Sequence, residues 1–273
     1  MRTRSVLATT GAAGIALALA TTVPAVADDN PAVLSVLHGV PGLTVDVYVN
    51  GDLTLDDFEP GDLAGPLELP AGTYAVAITA ADAADDSSPV LGPIDLPLSA
   101  GGNYTAVAHL DADGDPTASL FTNDISTTAA GEGRLTVRHT AAAPAVDILA
   151  GGDAVITDLE NPDEAVLDIP AGTVPAAVAA AGTTEPVLGP ADVNVAEGVN
   201  TIVYAWGSLA DDNLDLAVQT IDGLHSAPTG VPSGELGLAS TGSPTTAWLI
   251  AGLLLVAGGA VALTRRQPVR TTR

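Results

Sequence analysis

Two stretches of this chain, a hundred residues apart, carry the same words in the same order, and that repeat limits the architectures open to it. Leu34-Ser35-Val36-Leu37-His38 returns as Leu135-Thr136-Val137-Arg138-His139, and Val45-Asp46-Val47 returns as Val146-Asp147-Ile148, both at an offset of 101. Pro70-Ala71-Gly72-Thr73 returns as Pro170-Ala171-Gly172-Thr173. Pro89-Val90-Leu91-Gly92-Pro93 returns as Pro186-Val187-Leu188-Gly189-Pro190, by which point the offset has shrunk to 97. Ordered matches with a slowly drifting offset describe a duplicated unit that has lost a few loop residues. A unit of about 100 residues is the size of a domain and too long for the stacked units of a solenoid.

Within each unit the apolar residues recur at every second position, the period of a strand. Leu34, Val36 and His38 fall on one strand face, as do Val45, Val47 and Val49 on the next. Tyr74, Val76 and Ile78 alternate with small residues. Ile94, Leu96 and Leu98 alternate with Asp95 and Pro97, a pattern the second unit repeats with Val193 and Val195. Turn signals separate these runs: Pro41-Gly42, Asn50-Gly51, Ala71-Gly72, Gly101-Gly102 and Asp113-Gly114. With 29 Gly and 20 Pro, three-turn helices have no room. The pattern predicts an all-β fold of about seven short strands per unit. It divides the chain into two tandem antiparallel β-sandwich domains of Ig-like type, over residues 28–126 and 132–222. Aromatics are only 3% of the chain and cysteine is absent, so each core is expected to be Val, Leu, Ile and Ala without disulfide support.

Charge narrows the partners. All 33 acidic residues lie between Asp28 and Glu235, opposed there only by Arg134 and Arg138, and the chain has no lysine. Such a surface repels nucleic acid and anionic lipid and attracts cations.

The two ends are of another kind. Arg2 and Arg4, the apolar run Val6–Ala20 and the small-residue site Ala25-Val26-Ala27 read as a signal peptide over residues 1–27, addressed to the secretion machinery and cut after Ala27. Residues 223–237 form a Gly/Pro/Ser linker stiffened by Pro228 and Pro232. The 17 uncharged residues of 247–263 are predicted to be a single transmembrane helix with Trp248 at its outer end. Arg265, Arg266, Arg270 and Arg273 in the tail, 264–273, place the C-terminus in the cytoplasm.

Between linker and span stands Leu238-Ala239-Ser240-Thr241-Gly242. A pentapeptide of this kind, followed by an apolar span and arginines, resembles the cell-wall sorting signal of Gram-positive surface proteins, whose commonest form is LPxTG. The resemblance implies a sortase whose cysteine attacks the Thr241 carbonyl, expels the Gly242 side and passes the acyl group to an amine of peptidoglycan. Leu238 would fill an apolar pocket. Ala239 in place of proline resembles substrates of a sortase class found in high-GC Gram-positive bacteria. The expected location is therefore the cell surface, anchored to the wall after passing through a membrane-held precursor. Without lysine the chain cannot supply the acceptor amine of a sortase-built pilus shaft.

The unit starts carry a second resemblance. His38, Pro41, Val45-Asp46-Val47-Tyr48-Val49 and Gly51, followed by Pro70-Ala71-Gly72-Thr73-Tyr74, resemble the family called domain of unknown function 4397. The second unit keeps His139, Pro144, Val146 and Asp147 but has Leu149 and Val174 where the tyrosines would be. This resemblance implies secreted or surface β-domains and no particular activity, with His38, Asp46, His139 and Asp147 as structural signature residues.

His38 and His139 are each in phase with the apolar residues of their strand. That favours a buried imidazole, hydrogen-bonded so as to tie the first strand to the loop that follows. His109 and His225 stand isolated. Asp111-Ala112-Asp113-Gly114-Asp115 resembles part of a calcium loop, but its glycine is fourth rather than sixth and no Glu closes it. The expectation is a solvated hairpin turn, with weak calcium binding by Asp111, Asp113 and Asp115, shared with Asp211 and Asp212, as the alternative. No cysteine, Gly-x-Ser-x-Gly elbow or phosphate loop is present, so no catalytic or cofactor-binding residue is assigned. The function expected is that of a non-enzymatic surface protein with a structural or adhesive role and an unidentified ligand. The alternatives are a surface hydrolase using paired carboxylates, or a membrane-retained module that is never cut.

Overall fold

A computed structural model describes residues 30–225. The expected signal peptide with Ala25 and Ala27, most of the expected linker, Leu238–Gly242, the apolar run 247–263 and the basic tail lie outside the described residues. No helix occurs among the described residues, so none there is long and apolar enough to cross a membrane.

The first half of the described chain forms β1 (Ala32–Gly39), β2 (Val45–Val49), β3 (Asp52–Phe58), β4 (Leu63–Leu69), β5 (Gly72–Ala80), β6 (Leu91–Leu98), β7 (Asn103–Leu110) and β8 (Pro116–Thr122). The second half forms β9 (Glu132–Ala142), β10 (Val146–Ala150), β11 (Asp153–Leu159), β12 (Glu164–Pro170), β13 (Gly172–Ala180), β14 (Pro186–Val195), β15 (Asn200–Ser208) and β16 (Asp215–Ile221). They make four four-stranded sheets, ordered β4-β1-β7-β8 and β3-β2-β5-β6 in the first half, β12-β9-β15-β16 and β11-β10-β13-β14 in the second. Each half thus has eight strands rather than seven, in the same order.

The expectation of a wholly antiparallel sandwich is corrected at the centre of each half. β1 pairs with β7 in parallel, Leu37 opposite Val107 and Gly39 opposite His109, and β9 pairs with β15 in parallel, Arg138 opposite Tyr204. The alternating pattern could not reveal this, because parallel and antiparallel strands share the period of two. Direction is set by the connections: β2 to β6 all intervene between β1 and β7, so the chain can return to the sheet in either sense.

Inside each half the two sheets close on an apolar layer. Val45, Val47 and Ile78 of one sheet pack with Ala108 and Leu110 of the other, and Val146, Ile148 and Val178 pack with Leu135, Val137 and Val203. Gly92 and Gly189 show why Leu-Gly-Pro recurs. Both have positive φ, and a Cβ would stand 2.6 Å from the Val76 carbonyl oxygen at Gly92 and 2.9 Å from that of Ala176 at Gly189. Only glycine lets the edge strand approach so closely while turning that way.

The other face of β1-β7-β8 is buried as well, against β9-β15-β16. Leu37, Val107 and Phe121 from the first half form one cluster with Ile202 and Tyr204 from the second. Polar side chains lie in the same layer and close a ring. Arg138 donates from Nη1 to the Tyr204 hydroxyl (2.8 Å) and from Nη2 to Asn123 Oδ1 (2.9 Å). Tyr204 donates to Gln219 Oε1 (2.6 Å), which also accepts from the Thr105 hydroxyl (3.0 Å); Thr105 in turn accepts from Asn123 Nδ2 (3.0 Å). The Arg138 guanidinium also lies 4.3 Å over the Phe121 ring, and its Nε meets Glu164 at 2.8 Å. Arg138 is 1% exposed. Its charge is balanced by Glu164 and its remaining donors are used by the ring, so removing it takes a donor from the buried Asn123 and Tyr204 oxygens.

Arg138→Ala is expected to cost about 3–5 kcal/mol, the range for breaking a buried charged network from one side. In urea unfolding followed by tryptophan fluorescence the midpoint should fall. Surface Asp113→Asn should leave it within about 0.5 kcal/mol.

Candidate functional site

The signature residues lie near the start of each half, where histidine and aspartate make separate contacts. His38 leaves β1 on the inner face, stacks on Phe58 at 5.9 Å between ring centroids and donates from Nε2 to the Leu43 carbonyl at 2.6 Å. His139 makes the corresponding bond to the Pro144 carbonyl at 3.1 Å. Each imidazole ties its strand to the loop five residues on. His109, which has no apolar word to mark it, lies on the other face of β7 in the layer between the halves. It donates from Nδ1 to the Leu110 carbonyl (2.8 Å) and accepts from the Ser119 hydroxyl at Nε2 (2.9 Å).

Asp46 and Asp147 answer a need of the neighbouring strand. The β2–β3 register slips between Val45 and Val47, and β10–β11 slips between Val146 and Ile148, so one residue of the partner strand bulges. That residue is Asp57 in one half and Asp158 in the other, both at positive φ (52° and 55°). Their amides have no ladder partner, and the buried Asp46 and Asp147 accept them at 2.9 Å through Oδ1. The two halves then differ. Asp147 Oδ2 accepts the Gly182 amide at 2.8 Å, whereas Asp46 Oδ2 has no protein donor among the described residues.

Asp111, Asp113 and Asp115 sit in the β7–β8 hairpin. Asp111 Oδ1 accepts the amides of both Asp113 and Asp115 at 2.9 Å, and the Gly114 amide bonds to the Asp111 carbonyl at 3.1 Å. The carboxylate that would begin a calcium loop is used to close a turn. Among the described residues the three acidic groups that converge are Asp46, Asp56 and Asp57, whose nearest oxygens all lie within 4.8 Å of one another. Tyr48, on the same sheet face as Asp46, has its phenol pushed above the ordinary value by burial first and then by the charges of Asp46, Asp86, Asp85 and Asp56. Sequence inspection missed Asp56 and Asp57 because only the register slip folds them toward Asp46.

Both arginines that stand against the acidic surface are committed in the second half. Arg134 grips Asp168 with Nε and Nη2 (2.8 and 3.0 Å) and Asp124 with Nη1 (2.8 Å). A signal for their role was present in the sequence: each falls out of phase with Leu135, Val137 and His139, on the face opposite the sandwich core.

A family model described as a domain of unknown function, DUF4397, matches residues 32–149, and the chain carries that domain there. The matched span takes in the whole first half and ends within β10. A comparison with curated proteins found no match.

His38, His109 and His139 are all held below the ordinary imidazole value of 6.5, with burial as the first cause. The carbonyl that each N–H meets pulls the other way, as do Asp62 beside His38 and Asp111 beside His109. An imidazole whose folded value is lowered stabilises the fold fully above the unfolded value of about 6.5, and that stability is lost as pH falls from there toward the folded value. Urea midpoints measured between pH 7.5 and 5.5 are expected to drop on acidification, by at most about 1.4 kcal/mol per pH unit for each histidine. His139→Gln should flatten that slope; an unchanged slope in this variant would contradict the assignment.

Proposed function

We propose that this protein is a non-enzymatic module of a Gram-positive cell surface, exported, held briefly in the membrane and then joined through Thr241 to peptidoglycan by a sortase. The observation that carries the reading is the order of Leu238-Ala239-Ser240-Thr241-Gly242, the uncharged run 247–263 and the arginines that follow. A span of that length stalls export at the membrane, and arginines hold its far end inside, which presents the pentapeptide to an enzyme on the outer face. In the same reading residues 1–27 are a signal peptide. Residues 132–222 are a second copy of the DUF4397 domain, supported by His139, Pro144, Val146 and Asp147 and by the shared strand order.

A structural or adhesive role is favoured over hydrolysis by where the aromatics are. Phe121, Tyr204 and Trp206, the groups a carbohydrate enzyme would lay against a sugar, are buried between the halves. Acids abound on the surface, but those side chains are not available beside them.

Mass spectrometry of wall fragments released by muramidase is expected to find a chain that ends at Thr241 in amide linkage to the wall peptide. A wall fraction that retains the arginine tail would overturn the sortase step and leave a membrane-retained module. Thr241→Ala should shift the protein from the wall to the membrane fraction while leaving the urea midpoint unchanged.

A further inference from the structure

The acidic residues of the first half contain a contradiction that the second half does not. Asp46 is 3% exposed, and residues 30–131 contain no lysine or arginine to pair with a buried carboxylate. Asp56 and Asp57 add two carboxylates within 4.8 Å, which raises the repulsion further. Opposite Asp46 in the β2–β5 register stands Thr79, fully buried, and its hydroxyl has no hydrogen-bond partner. Directly opposed residues of an antiparallel pair share a face with their Cβ atoms about 5 Å apart, so this hydroxyl borders the carboxylate group.

The second half shows the same location without these features. Thr157 stands where Asp56 does, and Ala179 stands opposite Asp147 where Thr79 faces Asp46. The remaining oxygen of Asp147 is satisfied by the Gly182 amide. One copy therefore resolves its buried aspartate with backbone donors. The other has a carboxylate in place of the Thr157 hydroxyl and a hydroxyl in place of the Ala179 methyl, and the Asp57 amide is the one protein donor to its aspartate among the described residues.

We infer that Asp46, Asp56, Asp57 and the hydroxyl of Thr79 form a binding site for a hard divalent cation of the calcium type, unique to the first half. Oxygen-only donors from one buried and two exposed carboxylates suit a cation that takes six to eight oxygens in irregular geometry, with water completing the shell. The exposure of Asp56 and Asp57 gives the ion a path in from solvent. The cation would neutralise three charges that no protein group neutralises and would fix the bulge at Asp57, joining β3 to β2. An exported module meets calcium at levels that match the weak affinities of extracellular sites, about 0.1–1 mM. The site itself concerns β2, β3 and β5 and not the sorting segment; only the supply of calcium rests on the proposed export.

Terbium serves as the probe, because Tyr48 shares the Asp46 face and can sensitise its emission. Titrating Tb3+ into the full chain in detergent, with excitation of tyrosine, is expected to give a saturable signal displaced by millimolar Ca2+. Asp56→Thr, which installs the residue of the second half at an exposed position, should weaken binding at least tenfold. Tyr48→Phe should cut the sensitised emission while leaving competition by Ca2+, read by calorimetry, intact. Asp113→Asn should change neither. Emission that is not saturable, that survives Asp56→Thr at the same affinity, or that is lost with Asp113→Asn would overturn the assignment.

Discussion

The arrangement of this molecule depends on a layer of side chains that belongs to neither sandwich. β1 and β7 are covered on one face by their own second sheet and on the other by β9 and β15, so the strands at the centre of each half have no solvent face. Two-sided burial is the usual condition of parallel strands, and here it coincides with the two parallel strand pairs among the described residues. The layer is half apolar, around Leu37, Ile202 and Tyr204, and half polar, around Arg138. The apolar part supplies the driving force for the halves to stay together. The polar part sets their register, since the ring from Arg138 through Tyr204, Gln219, Thr105 and Asn123 closes in only one placement of the sheets.

That layer also explains what the sequence could and could not disclose. The inner faces of the strands were legible: Val45, Val47, Leu135 and Val137 sit where alternation puts them, and His38 and His139 share that face. Alternation alone would leave the polar residues of the opposite face to water, yet Thr105, Thr136, Arg138 and Thr140 are buried. A polar residue in a strand has two explanations, water or a satisfied partner, and period alone does not separate them. The partners lie up to a whole domain away in the chain, as Thr105 and Gln219 do. Arg138 carried the clearest warning, being one of two bases in an acid-rich stretch.

The acidic site was hidden for a different reason. Asp111-Ala112-Asp113-Gly114-Asp115 stood out because its acids are close in sequence, but closeness in sequence there serves the turn. Asp46 and Asp57 are 11 residues apart and are brought together by a bulge. A bulge is a register event and leaves no mark on hydrophobic alternation beyond a misplaced residue. The repeat offered the only clue, in the exchange of Asp56 for Thr157 and Thr79 for Ala179. The two halves thus serve as controls for each other: the histidine and aspartate serve the fold in both, and the differences around them mark where one half departs.

The parallel pairs set the polarity of the assembly. β1, β7, β9 and β15 run the same way, as the Asn123 amide on the Asn103 carbonyl, Asn200 on Asp124 and Asn161 on both Leu110 and Ala141 require. Each half then ends on a strand that runs back, β8 or β16, toward the end where it began. Asn30 bonds beside Gly101, and Leu224 bonds beside Gly198 and Thr128, so the chain enters, crosses over and leaves at one end. The Asp111–Asp115 hairpin and the Asp211-Asp212 turn stand at the other. Those two acidic tips, one from each half, therefore stand side by side at the end of the described residues farthest from Asn30 and His225, where their charges add into a single negative field.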